Sequence, residues 1–307
     1  MCACMSCTDD NRFMEATSTK NGVSASGGAD VMEGDEVVGQ QVEANRRLWD
    51  ERVAPHMGSD FYDVDAFRAG RNSLDSVELE GVGEVSGQSL LHLQCHFGLD
   101  TLSWARCGAR VVGVDFSLKA VEQARELAQE LGLDARFVCC EVGRALEHLG
   151  GETFDVVFTS HGAISWLPDL AAWARVIAGA LKPGGRFFVV DSHPTVWMFD
   201  DAPNVDAVCY RYSYFDRRAL RTEERGSYAC PEAEIGGPSY SWQHTFEEIV
   251  SALLDAGLQV TSLREYPYLS FQWFPFMVRG ADGYWRMPAG SPDLPLMFSI
   301  TAEKRAC

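Results

Sequence analysis

The chain has 307 residues, 46% of them hydrophobic and 11% aromatic, enough material for a packed core in one large or two ordinary domains. Lys and Arg number 26 against 44 Asp and Glu, a net charge of -18, and the basic residues are scattered. A nucleic-acid backbone or an anionic membrane surface is therefore excluded as partner, and a small molecule or a protein is favoured. No apolar run reaches about 18 residues and no basic segment followed by an apolar one opens the sequence, so neither a membrane span nor a secretion signal is read.

Residues 1–36 are rich in Ser, Gly, Thr, Asp and Glu, a composition expected to stay disordered. Cys2, Cys4 and Cys7 in CACMSC offer three soft ligands there, but no second Cys/His pair at finger spacing completes a zinc site. Cys95, Cys107, Cys139 and Cys140 lie in or beside apolar runs, where thiols act as small hydrophobes, which points to a reducing, cytoplasmic setting. Residues 37–88 read as an N-terminal helical cap, with VVGQQVEANRRLWDERVAPHM forming an amphipathic helix that stops near Pro55.

A βα rhythm then begins. SLLHLQC (89–95), ARVVGVD (109–115), ARFVCCE (135–141), FDVVFTS (154–160) and GRFFVVDSH (185–193) are short continuous apolar runs, the pattern of parallel strands covered on both faces. Between them lie helices such as LKAVEQARELAQEL, with Ser117 as N-cap and Gly132 past its end, and DLAAWARVIAGAL, which stops at LKPGG. Residues 194–241 break the rhythm for too long to be an ordinary connection and read as an inserted lid. Thr245 and Glu248 then form a capping box on TFEEIVSALLDAGL, followed by strands QVTSLREY (259–266) and LMFSITAEK (296–304) around an aromatic insertion at 267–295.

In an open α/β sheet the ligand lies beyond the carboxyl ends of the strands, which places the loop LLHLQCHFG (90–98) beside Asp115. A carboxylate ending the second strand suits both hydroxyls of a ribose. The loop has a single glycine, Gly98, with Gln94 and His96 where glycines would admit a pyrophosphate, so a nucleoside is better served than a dinucleotide. Three histidines fall at or near the carboxyl edge, His161, His193 and His244, and His193 and then His161 are the candidate bases.

Laid on hydrophobic, hydrophobic, acid, hydrophobic, G-x-G-x-G, the loop places His92 on the acid, Gln94 and His96 on the first two glycines and Gly98 on the third. In this, in VVGVDFS, in FDVVFTSH, in LKPGGRFFVV and in the last helix and strands, the sequence from 89 to 304 resembles the class I S-adenosylmethionine-dependent methyltransferases, in a bacterial-type branch with its own LHLQCHFG loop. The resemblance implies a Rossmann-like seven-stranded mixed sheet with helices on both faces, and a methyltransferase domain over 89–193 and 242–304. It also implies S-adenosyl-L-methionine as cofactor, held by Gln94, His96, Gly98, Asp100, Asp115, Phe116, Ser117, Glu141, Val142 and Ser160. Asp115 would hold the ribose, Glu141 and Val142 the adenine, and Asp100 would stand in for the acid that His92 replaces. A small-molecule methyl acceptor is expected against Tyr240, Trp242, His244 and Trp273, with its methylated atom (O, N, S or C) left open, as is the choice between monomer and homodimer. A non-catalytic cofactor-binding protein and a nucleotide-dependent oxidoreductase are the competing readings; the first requires the pocket to be filled by its own side chains, the second requires phosphate-binding groups.

Overall fold

The computed structural model describes residues 29–202 and 204–306, so the CACMSC segment and the leader up to residue 28 lie outside the described residues. The chain divides into two units, Met1–Val37 and Val38–Cys307, and, apart from the start of the first helix, the second holds every feature discussed below. Helix α1 (Ala29–Met57) begins ahead of residue 37 and continues past Pro55. Proline in the last turn removes one backbone donor but the turn is completed around it, so the helix ends two residues later than expected.

Two short helices follow, α2 (Val64–Arg68) and α3 (Ser76–Val82). A capping box opens α3: Asp75 accepts from the backbone N–H of Val77 and Glu78, and Glu78 accepts from the Asp75 N–H at 2.8 Å. The alternating part is β1 (Ser89–Leu93), α4 (Leu99–Arg106), β2 (Arg110–Asp115), α5 (Leu118–Leu131), β3 (Ala135–Cys139), α6 (Ala145–His148), β4 (Phe154–Thr159), α7 (Leu170–Ala180) and β5 (Leu181–Ser192). After it come the hairpin β6 (Leu220–Arg225) and β7 (Gly236–Ser241), α8 (Phe246–Asp255), β8 (Leu258–Tyr266), a minimal ladder of β9 (Val278–Arg279) with β10 (Trp285–Arg286), and β11 (Met297–Lys304).

One seven-stranded sheet results, in the order β3-β2-β1-β4-β5-β11-β8. Its first five strands are parallel and β11 runs antiparallel to both β5 and β8. The parallel strands expected from the apolar runs, and the seven-stranded mixed Rossmann-like sheet that the resemblance implied, are therefore present. LKPGG, expected to be a turn ahead of the strand, lies inside β5, where the pairing with β4 shifts register between Phe154 and Val156.

Both faces of the sheet are covered, which is why its strands read as unbroken apolar runs. Phe187 packs with Trp173, Ile177 and Leu253 on one face. Phe188 and Val190 pack with Phe158, Leu269, Phe274 and Met297 on the other. Each such side chain contributes roughly 1.5–3 kcal/mol by leaving water. Aromatic residues of 267–295 are largely absorbed here: Phe274 and Tyr284 are buried and Trp273, Phe276 and Trp285 pack against the same cluster, so this insertion thickens the core instead of walling a ligand site.

The hairpin within 194–241 is fixed to α1. Asn45 donates to the Tyr240 carbonyl at 2.7 Å and accepts from the Tyr240 N–H at 2.8 Å, using the free edge of β7. The chain leaves β1 toward β2 and β3 on one side and returns from β3 to β4 on the other, and this reversal opens a crevice at the carboxyl ends of β1 and β4.

Candidate functional site

The loop after β1 adopts glycine-like backbone without the glycines. Gln94 and His96 have φ of 59° and 51°, in the left-handed region that costs a side-chain-bearing residue roughly 1–2 kcal/mol. Specific bonds hold it there: Gln94 Nε2 donates to the Ala163 carbonyl and the His96 N–H to Asp115 Oδ2, each at 2.8 Å. Gly98, with φ of 83°, needs to be glycine for packing, since a Cβ would stand 2.8 Å from the Phe137 ring.

Asp115 ends β2 at 8% exposure. Its Oδ1 accepts from the Ser117 N–H at 2.8 Å, so each carboxylate oxygen takes one backbone donor and retains a lone pair. Burial pushes this carboxyl up to about 6, against the pull of the Ser117 and His96 N–H groups.

These residues border a cavity of about 350 Å³. Beyond β2 and β3 it is lined by Val114, Asp115, Phe116, Glu141, Val142 and Gly143, and beyond β1 and β4 by Gln94, His96, His161, Gly162, Ala163 and Trp166. Val42 and Trp49 of α1, Tyr62 and Tyr228 line it as well, together with Arg144 and Asp169. Trp49 meets His96 and Trp166 edge to face, with ring centroids 5.2 and 5.4 Å apart, and the Tyr62 and Tyr228 hydroxyls are bonded to each other. Asp50 of the same helix accepts from the Ser117 hydroxyl at 2.6 Å, which ties α1 to the start of α5 next to Asp115.

A chain of neutral side chains reaches this wall. His56 Nδ1 lies 3.0 Å from His96 Nε2, and His56 Nε2 lies 3.0 Å from Ser227 Oγ. Burial, with Arg52 nearby, pushes His56 down to about 3. Burial together with His56 and Arg52 pushes His96 well below the usual range as well. His96 Nδ1 has no hydrogen-bond partner, and the spacing along His96, His56 and Ser227 accommodates donation in either direction.

His161 differs. Burial alone would push it down, but Asp75 and Glu78 outweigh that and hold it up at about 9. Asp75 is pulled to about 2, burial notwithstanding, by His161 and the Ser270 hydroxyl, whereas burial keeps the Glu78 carboxyl well above its ordinary value.

Of the residues expected to hold a cofactor, Gln94, His96, Asp115, Phe116, Glu141 and Val142 line the cavity. Gly98, Asp100, Ser117 and Ser160 stand behind it: Asp100 accepts from Ser73 and Ser160, and Ser117 caps α5. His92 is 1% exposed and bonded to Thr101, with burial holding it down at about 4, so it offers the cavity no acid. Of the two candidate bases only His161 lines the cavity. His193 is bonded to Thr195, lies 3.0 Å from Glu265 and packs on Phe246, outside it. Trp242 and His244 border a water-sized crevice of about 20 Å³ with Asp191, Trp273 stacks edge-on against Trp197, and Tyr240 is held to Asn45; none of the four lines the large cavity.

Sequence reasoning missed Trp49, Tyr62 and Trp166 at the wall, and Asp191 behind it; Tyr228 was within reach as one of the aromatics of the 194–241 insertion. Asp191 accepts four backbone N–H bonds, from Gly162, Ala163, Ile164 and Ser192, and so shapes the segment after β4.

Residues 90–185 match the methyltransferase-domain family. Among curated proteins, the ubiquinone biosynthesis O-methyltransferase of Xanthomonas euvesicatoria is 32% identical over 135 residues, 42% of this chain and 54% of that protein. Its Bordetella pertussis counterpart is 26% identical over 190 residues, 62% and 69% of the two chains. The chain thus spans about half the length of the first of these relatives. Among solved structures, an S-adenosylmethionine-dependent methyltransferase from Mesorhizobium loti superposes with a TM-score of 0.51 at 19% identity, covering 81% of this chain and 99% of that one. One from Methanosarcina mazei gives 0.50 at 19%, covering 76% and 99%. These two likenesses bear on the fold.

Proposed function

On the premise that residues 90–185 are a methyltransferase domain and that the sheet is of the class I, S-adenosylmethionine-dependent type, we propose that the chain transfers a methyl group from S-adenosylmethionine to a small-molecule acceptor. The observation that carries this is the open cavity of about 350 Å³ with the Asp115 carboxylate on its wall. A protein using the fold only for binding its partners would fill that space with its own side chains. An oxidoreductase would need donors for a pyrophosphate where Gln94 and His96 stand.

The lining fits the cofactor in three places. Asp115 has acceptor capacity for two ribose hydroxyls, Glu141 and Val142 would flank the adenine, and Gln94 carries a buried Oε1 with no partner, an acceptor for the methionyl ammonium that takes over from the missing acid at position 92. Bound there, S-adenosylmethionine supplies a methyl group already activated by its sulfonium charge. The chain's own contribution is alignment, worth up to about 7–11 kcal/mol in good cases, and a destination for the acceptor's proton. His96 is the candidate by position, since it lies at the cavity wall and is linked through His56 to Ser227. A proton acceptor among Trp49, Tyr62, Trp166 and Tyr228 suits a hydroxyl or amine on a largely apolar, planar molecule.

Titration calorimetry with S-adenosylmethionine, S-adenosylhomocysteine and NAD tests the cofactor, and mass spectrometry over a panel of phenols and amines then tests the acceptor. Micromolar binding of the first two ligands and none of NAD is expected. Failure of both adenosyl ligands to bind would sink the proposal.

A further inference from the structure

His161 turns its Nε2 into a recess made by α3 and the segment after β8. Three oxygens face that nitrogen: Ser270 Oγ at 3.4 Å, Asp75 Oδ2 at 3.6 Å and Glu78 Oε1 at 3.8 Å. Both carboxylate separations are too long for charge-assisted hydrogen bonds, which fall near 2.7–2.9 Å. They match instead the spacing of ligands around one ion: with bonds of about 2.1 Å, two ligands opened to roughly 120–130° stand about 3.6–3.8 Å apart. The donor atoms of Asp75, Glu78 and His161 all lie within 4.8 Å of one another.

Glu78 is the independent sign that something belongs there. It is 2% exposed, and its Oε2 is committed to the Asp75 N–H while its Oε1 has no hydrogen-bond partner. Leaving a buried oxygen unpaired costs roughly 1–3 kcal/mol, more when it is charged, and the capping box prevents the side chain from turning away. Asp75 keeps acceptor capacity too, since Oδ1 caps α3 and Oδ2 takes only the Ser270 hydroxyl, at 2.7 Å, besides facing His161.

We propose that Asp75, Glu78 and His161 bind a divalent first-row metal ion at the edge of the cleft. One imidazole and two carboxylates form a mixed donor set that suits Mn²⁺ or Zn²⁺, and too few oxygens for Ca²⁺. Three protein ligands leave positions open for water or for an oxygen of a molecule in the cavity, which His161 also lines. That use of the ion rests on the acceptor reading above; its binding does not.

The test is Mn²⁺ titration of the full chain after chelator treatment, followed by electron paramagnetic resonance and calorimetry, for the wild type, Glu78→Gln and His161→Ala. Mn²⁺ is the probe because the thiols of CACMSC disfavour it relative to Zn²⁺. About one ion per chain is expected, with affinity falling at least tenfold in either variant. Glu78→Gln keeps the capping contact and removes the unpaired carboxylate oxygen, so its thermal midpoint should equal or exceed that of the metal-free wild type. Affinity for S-adenosylhomocysteine, measured on the same samples, keeps loss of the ion distinct from loss of the cofactor site. No Mn²⁺ uptake by the wild type, or equal uptake by both variants, overturns the proposal and leaves the cluster as an ion-pair contact.

Discussion

Replacing Asp115 with Asn separates the cofactor role of this carboxylate from its role in the fold. Asn keeps one acceptor oxygen but presents an NH2 group to the His96 or the Ser117 N–H, both now donating at 2.8 Å, and to one ribose hydroxyl. Losing one charge-assisted bond to the ligand costs about 1.5–3 kcal/mol, so S-adenosylhomocysteine should bind roughly 10- to 150-fold more weakly. Stability moves differently. The folded carboxyl sits near 6 against an ordinary 3.8, so its contribution is fully present below 3.8 and is lost as pH rises through 6. About 3 kcal/mol is at stake across that window, and Asn removes the dependence. Above pH 6 the variant should therefore be little less stable than wild type while binding far more weakly, and wild-type affinity should itself tighten as pH rises through about 6. Calorimetry and circular-dichroism melts across that range check both. Affinity of the variant within about threefold of wild type at neutral pH would refute the ribose-binding role, since even one neutral bond is worth about 1 kcal/mol.

Three further predictions rest on the same geometry. His96→Gln should lower turnover about 100-fold or more on any acceptor found while leaving S-adenosylhomocysteine affinity within a few-fold, and a loss of less than about tenfold would exclude a proton-accepting role. His56 lies near 3 when folded against an ordinary 6.5, so its contribution is present above 6.5 and is lost as pH falls through 3, at about 1.4 kcal/mol per pH unit. Urea midpoints measured between those limits should fall with acidity, and His56→Gln should flatten the slope by one proton. Gly98→Ala adds a Cβ 2.8 Å from Phe137 at φ of 83° and should destabilise by about 1–3 kcal/mol. Because Gly98 does not line the cavity, ligand affinity of the folded fraction should change far less, which a melt and a titration on one sample would show.

The sheet could be read from sequence because its physics is local. LLHLQC, RVVGVD and FDVVFT are apolar without alternation only if both faces are covered, and Ser117, Thr245 and Gly132 punctuate helices at their ends whatever surrounds them. Asp115 was legible for the same reason, as the acid at the end of a recognisable second strand. The cavity's far wall was not. Trp49 meets His96 across 47 positions and Tyr62 meets Tyr228 across 166, and no periodicity encodes which face of α1 a later loop will touch. The aromatic insertion at 267–295 went the opposite way. Phe274 and Tyr284 have the composition of a pocket wall, yet the sheet face beside Phe188 and Met297 needed covering, and the nearest large side chains were used for it.

The histidines show why residue type alone does not separate the candidate bases. His193, His161 and His96 all follow strands at the carboxyl edge of the sheet, and their environments then push them apart. His193 is drawn to Glu265 outside the cavity. His161 faces Asp75 and Glu78, which push it up to about 9 against its burial. His96 pairs with His56 instead of a carboxylate, and its loop also explains how a turn with one glycine can serve a nucleoside. Side chains at 94 and 96 cost backbone strain that Gln94 and the His96 N–H offset with bonds to Ala163 and Asp115. In return those positions gain an amide oxygen and a neutral imidazole at the cavity wall, groups that a pair of glycines would not provide. What the loop gives up is the close backbone approach a pyrophosphate needs, and a cofactor with a ribose, a base and an amino acid in place of phosphates has no use for it.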